Sequence, residues 1–158
     1  MNLNESLVNV GACSDAVKWV GNKSAALAWR TCKRGDWMLW LVVRVCEQRV
    51  AVLCACECAR TALRYVPKGE DRPRLAIGAA ERWAADPTEI NGAAAAAAAR
   101  AAGDGTWGAA GAAGYTWAAA GDAARAKAHK TMCGLMRRRL IVRAGKLTER
   151  KPAKGGKG

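Results

Sequence analysis

The sequence predicts an all-α protein: a compact multi-helix bundle with one long Ala/Gly-rich helix, a basic C-terminal helix and a flexible tail. Three observations carry that prediction. Apolar residues recur at helical spacing, as in Val52, Cys56, Ala59 and Leu63. Capping and breaking residues punctuate the chain at Ser24, Gly35, Asp36, Pro67, Pro73 and Asp86-Pro87-Thr88. No segment alternates apolar and polar residues over the length of a strand.

Taken in order, Ser24 is placed to cap a helix that runs AALAWRTCKR and stops at Gly35, the residue type that best tolerates a left-handed helix end. Asp36 then caps the next helix, WMLWLVVRVC. The triplet Arg34-Gly35-Asp36 has the form of an integrin-binding motif, but reads as a helix stop and start. A third helix extends from about Gln48 to Tyr65 and ends before Pro67, which cannot continue it. A polar connection leads to Pro73, in a first helical turn that needs no N–H, and LAIGAAERWAA forms the fourth helix. Asp86-Pro87-Thr88 breaks it, Thr88 caps its successor, and Ile90 is the early apolar anchor of that helix.

From Ala93 to Ala128 the composition turns to Ala and Gly. Gly105, Gly108, Gly111 and Gly114 recur every third residue, but four triplets without proline do not make a collagen-like ribbon. A 4-3 spacing through Gly103, Trp107, Ala110, Gly114, Trp117, Gly121, Ala124 and Ala128 describes instead a helical seam of small residues, with Trp107, Gly114 and Trp117 as packing or interface positions. Each interior glycine costs about 1 kcal/mol relative to alanine, so the helix should kink or break between Gly103 and Gly111. After Lys130, Met132, Leu135, Met136, Leu140, Ile141 and Val142 predict a final amphipathic helix, basic on its outer side and ended by Gly145. LTERKPAKGGKG should be disordered. The predicted organisation is one helical domain, 1–143, and a basic flexible tail, 144–158.

The 158 residues are 51% hydrophobic, yet Phe is absent and alanine supplies much of that share, so seven tryptophans are expected to provide the bulk of the interior. The net charge is +13. Twelve Lys/Arg and a single acid, Glu149, fall between Arg125 and Gly158, whereas residues 1–124 hold fourteen Lys/Arg and twelve acids. Such a basic arm predicts phosphate or an acidic protein surface as partner, against the alternative of a solubilising tail. Its contact residues would be Arg137, Arg138, Arg139, Arg143, Lys146, Arg150, Lys151 and Lys154. Seven cysteines in no disulfide-framework spacing, the lack of a signal-peptide pattern at the N-terminus, and a longest apolar run of only Trp37 to Val43 predict a cytoplasmic protein without a membrane partner.

Chemistry is sparse. On a helix Cys54 and Cys58 share a face while Cys56 points away, so the three cannot converge on one metal and are expected to be core. His129 is the sole histidine, and no P-loop, GxGxxG after a strand, or GxSxG elbow is present. The expectation is a non-enzymatic protein with no metal and no cofactor. Arg60, on a mostly apolar helix, predicts a structural ion pair with Asp36 or Glu81.

The succession GACSDAVKWVGNKS, AWRTCKRGDWMLWL and CARTALRYVPKGEDRPRLAIGAAERWA, followed by a long Ala-rich helix, resembles the Imm-5-like immunity protein family over roughly Gly11 to Leu135. These are small all-helical proteins of bacteria and phages. The resemblance implies an all-α domain that neutralises a toxin or host defence factor by binding it. The leading expectation is therefore a phage- or bacteria-encoded immunity or counter-defence protein that occupies a protein target. The rival is a nucleic-acid- or nucleotide-binding accessory protein that uses its basic arm, including a structural role in a virion.

Overall fold

A computed structural model describes residues 3–102 and 122–150, and it is mostly helical. The elements are α1 (Leu3–Asn9), α2 (Ser14–Val20), α3 (Ala25–Thr31), α4 (Gly35–Val45), α5 (Gln48–Arg60), a 3-10 turn (Leu63–Tyr65), α6 (Arg72–Ala85), α7 (Glu89–Ala102), α8 (Asp122–Arg139), β1 (Leu140–Arg143) and β2 (Lys146–Glu149). The expected break near Gly103, the small-residue seam with Trp107, Gly114 and Trp117, and the tail residues Lys151 and Lys154 lie outside the described residues.

Several helix ends are made as the sequence predicts. The Ser24 hydroxyl accepts from the Leu27 N–H at 3.2 Å, and the Thr88 hydroxyl from the Asn91 N–H at 3.3 Å, each satisfying a donor of a first turn. Pro73 sits in the first turn of α6. α5 ends at Arg60 rather than near Tyr65, and the chain tightens into the 3-10 turn; Val52, Cys56 and Ala59 of α5, with Leu63 of that turn, still bury against Ile77 and Ala80 of α6.

Gly35 departs from its expected role. α3 already ends at Thr31, and Gly35 is the first residue of α4, with Arg34 and not Asp36 at the cap position. A Cβ on Gly35 would lie 2.7 Å from Met132 Cβ and 3.1 Å from the His129 carbonyl oxygen. The glycine is there because α4 crosses α8 at that point, a contact 94 residues away in sequence. Ile90 is 82% exposed and anchors nothing. α7 instead turns Gly92 toward α6, where a Cβ would lie 3.5 Å from the Trp83 indole.

The main core gathers α3, α4, α5, α8 and the start of β1 around Met38, Val42, Cys54, Cys58, Met136 and Leu140. Of the five described tryptophans only Trp29 is buried; the bulk comes from Met, branched aliphatics and cysteine. Helices that approach through Ala, Cys and Gly leave no room for an indole, so the rings sit at the edge of the core.

The C-terminal region overturns two further expectations. α8 stops at Arg139, and the chain enters an antiparallel hairpin in which Leu140, Ile141, Val142 and Arg143 pair with Glu149, Thr148, Leu147 and Lys146. The division expected at 143/144 thus runs through the hairpin turn, and Lys146–Glu149 is a paired strand rather than tail. Ala144 and Gly145 make the turn with φ of 47° and 77°, the mirror-image geometry that suits strand twist. Val142 and Leu147, a cross-strand pair, pack on the core. Arg150 N–H donates to the Arg139 carbonyl at 2.7 Å and continues the ladder.

Candidate binding cavity

α1, α2, α3, α4 and the hairpin do not close on one another. Between them lies a cavity of about 890 Å³ that opens to the surface, within the size range of ligand-binding clefts. Leu7, Val20, Leu41 and Val142 supply apolar wall, and Trp19, Trp29, Trp37 and Trp40 supply aromatic wall. The helical spacing that places these rings on one side is visible in the chain: Trp37, Trp40 and Leu41 are successive positions on the inner face of α4. Trp19 and Trp37 meet at a centroid distance of 6.1 Å with their planes 60° apart, an edge-inclined contact favoured by ring quadrupoles. The Trp29 indole Nε1 is buried with no hydrogen-bond partner among the described residues.

Cations cover three of these rings. Lys23 Nζ lies 4.7 Å from the Trp19 centroid, the Arg34 guanidinium 4.6 Å from Trp37, and the Arg44 guanidinium 5.1 Å from Trp40. The sequence carries this signal as a cation three or four residues from each Trp, a spacing that composition-level reading passes over. At the hairpin tip Lys146 lines the cavity and Arg143 stands directly opposite it in the register. Two like charges at paired positions destabilise a hairpin, and neither residue has an ion pair among the described residues. Asp36 is the single carboxylate among the lining residues. Burial works against its charge, yet the Arg34 guanidinium, with Nε donating at 2.9 Å, holds its carboxyl below the usual range.

The predicted partner-contact arginines divide into two sets. Arg137 is half-buried and donates to the carbonyls of Trp29, at 3.1 Å, and Cys32, closing the C-terminal end of α3. Arg139 pairs with Glu57 and Glu149, and Arg150 Nε donates to the Arg137 carbonyl at 2.8 Å. Arg138, Arg143 and Lys146 are exposed. Arg60 pairs with Glu81, Nε to Oε1 2.7 Å, tying α5 to α6. Asp36 is not its partner, because α4 presents that carboxylate to Arg34 and His129.

Cys54 and Cys58 face the main core with Cys133, whereas Cys56 faces Ile77. Burial pushes Cys54 and Cys58 up to about 12 and Cys56 and Cys133 up to about 11, so none is a thiolate near neutrality. Among the described residues no group of three His, Cys, Asp or Glu is placed to hold a metal ion. His129 Nδ1 accepts from the Gly35 N–H at 3.0 Å and lies 3.4 Å from Asp36.

Fold and cavity together define a helical bundle with an aromatic-lined cleft, three of whose tryptophan rings carry a cation. No protein family, curated protein or solved structure matches the chain. No helix among the described residues is long and apolar enough to cross a membrane.

Proposed function

We propose that this chain is a non-enzymatic binding protein of the immunity or counter-defence type, and that it occupies a protein target by taking an apolar element of that target into the cavity. The observation that carries this reading is the tryptophan-lined cleft of about 890 Å³. Aromatic side chains at the edge of a cleft offer large contact area at little entropic cost, and they dominate the energetics of protein interfaces. The condition of the nucleophiles supports the non-enzymatic part. The buried thiols are held protonated, and the one histidine has a ring nitrogen committed to a backbone N–H. All seven cysteines are free thiols, which supports a reducing cytoplasm as the place of action.

The test is co-purification with the full chain from infected or toxin-expressing cells, repeated with two variants. Ala16→Trp fills the cavity from α2, and Val45→Asp puts a charge at its edge. A single protein held in a stoichiometric complex by the wild-type chain and lost by both folded variants supports the reading. Equal retention by all three, or a complex with none, overturns it.

A second reading has its own observation. Lys127, Lys130 and Arg138 are exposed on one face of α8, around Gly134, and add to Arg143 and Lys146. Such a face fits the phosphates of a nucleic acid. Its affinity would fall steeply with salt and would drop in a Lys130→Gln, Arg138→Gln double variant.

A further inference from the structure

We propose that the element taken into this cavity is an acidic amphipathic helix of the target, whose apolar side enters between the tryptophans while its carboxylates meet the cations on the rim. The inference rests on the cavity being the binding site and adds the chemistry of what fills it. Four cations stand next to the lining: Lys23 and Arg44 lie over the Trp19 and Trp40 rings while donating to the Trp19 and Val10 carbonyls, Lys146 lines the opening at the hairpin tip, and Arg143 is its cross-strand partner. None of the four has an ion pair among the described residues. Arg34, the third cation over these rings, is matched by Asp36. These four cations therefore carry positive charge that no carboxylate among the described residues pairs.

The distribution of these cations selects the occupant. They are spread over three parts of the chain, over two rings that line the opening and at the hairpin tip, so several spaced carboxylates answer them better than the single headgroup of a lipid anion. An amphipathic helix supplies both parts, with apolar residues at i, i+3, i+4 and i+7 and acids flanking that stripe. The hairpin tip also bears two local costs that packing does not explain. Like charges are paired across the strands, and Ala144 has φ of 47° where Asn or Gly is the usual residue. A carboxylate seated between Arg143 and Lys146 removes the first of them. Val45, 45% exposed on the cavity wall, gives the helix an apolar contact beside Arg44.

The probe is a synthetic amphipathic helix of about 15 residues, a length at which helices become marginally stable alone. It carries Leu on one face and Glu beside that face, and is matched by a peptide with Gln in place of Glu and by one with Lys. Binding to the full chain is followed by tryptophan emission and by calorimetry, with palmitate as a further arm. The Glu peptide is expected to bind about tenfold or more tighter than the Gln peptide at low salt. That difference should shrink in high salt, in Arg143→Gln/Lys146→Gln, and in Arg44→Gln, which leaves the hairpin untouched. Equal affinity for the Glu and Gln peptides overturns the acidic assignment but keeps the cavity as an apolar site. Binding of none of the three peptides overturns the cavity reading itself. Palmitate binding that displaces the Glu peptide, with the peptide held no tighter than its Gln counterpart, assigns the site to a lipid anion and sinks the proposal.

Discussion

The backbone N–H of Gly35 donates to Nδ1 of His129 across 3.0 Å, so the first turn of α4 is capped by a side chain from α8, 94 residues later. The same glycine has no space for a side chain, since a Cβ would lie 2.7 Å from Met132 Cβ. One residue therefore sets both the closeness of the α4–α8 crossing and the hydrogen bond that aligns it.

Gly35→Ala should be destabilising although alanine is the better helix former. The new methyl meets the Cβ of Met132 and the backbone of His129, neither of which can rotate away. Overpacking of this kind costs about 1–3 kcal/mol. The urea midpoint should fall accordingly, and an unchanged or raised midpoint would show that α4 and α8 are free to separate.

Stability should decline on mild acidification because of His129. Burial lowers its pKa below 6.5, with nearby Asp36 opposing and Arg34 adding to the shift. The unfolded chain therefore binds the proton first. The contribution of the neutral imidazole is fully present above about pH 6.5 and is lost as pH falls through the folded-state pKa. As the sole histidine, it makes the step assignable. His129→Asn, which offers an oxygen to the Gly35 N–H, should abolish the pH dependence between neutrality and about pH 5. Persistence of the step in that variant would assign it elsewhere.

Arg137→Ala should destabilise the fold without changing nucleic-acid affinity. The guanidinium satisfies the carbonyls of Trp29 and Cys32, and leaving such acceptors half-buried and unpaired costs about 1–3 kcal/mol. Arg138→Ala, at an exposed position, should have the opposite profile. Thermal melts and salt-dependent binding to a short duplex separate the two residues; identical profiles would contradict their different placement.

Thiol labelling should proceed in distinct phases. Cys13 is exposed, Cys46 is half-buried, and the remaining five are buried. A native chain should show one fast-reacting thiol, removed by Cys13→Ser, with Cys54, Cys56 and Cys58 labelled only on unfolding. Rapid native labelling of any of these three would mean that α5 opens locally.

Ala144→Gly should stabilise the hairpin. At φ of 47° the alanine methyl crowds its own carbonyl, and relief is worth about 1 kcal/mol. Amide exchange of Ile141 and Leu147 should slow in the variant, and faster exchange would contradict the strain.

Much of the helical framework was legible in the chain because its signals are local. The Ser24 and Thr88 caps, Pro73 in a first turn and the α5 face made of Val52, Cys56 and Ala59 each depend on neighbours within a few residues. The hairpin was not legible. Its strands are four residues long, its turn uses Ala where Asn or Gly is the usual signal, and its arginines continue the basic pattern of α8. The candidate site was missed for a related reason. Lys23 and Arg44 look like ordinary surface cations until α2, α3 and α4 bring the Trp19 and Trp40 rings beneath them into one cleft, which Lys146 of the hairpin also lines.

The sequence by itself determined the helical class, several helix starts and the burial of Cys54, Cys56 and Cys58, because periodicity, caps and breakers act over one or two turns. Only the tertiary structure decided that Gly35 is a crossing point, that Arg60 pairs with Glu81, that Arg137 closes α3, and that Trp19, Trp37 and Trp40 line a cleft at the edge of the core. Those outcomes depend on which helices meet and how closely. Contacts between residues tens of positions apart are set by the packing of whole faces, which no local pattern encodes.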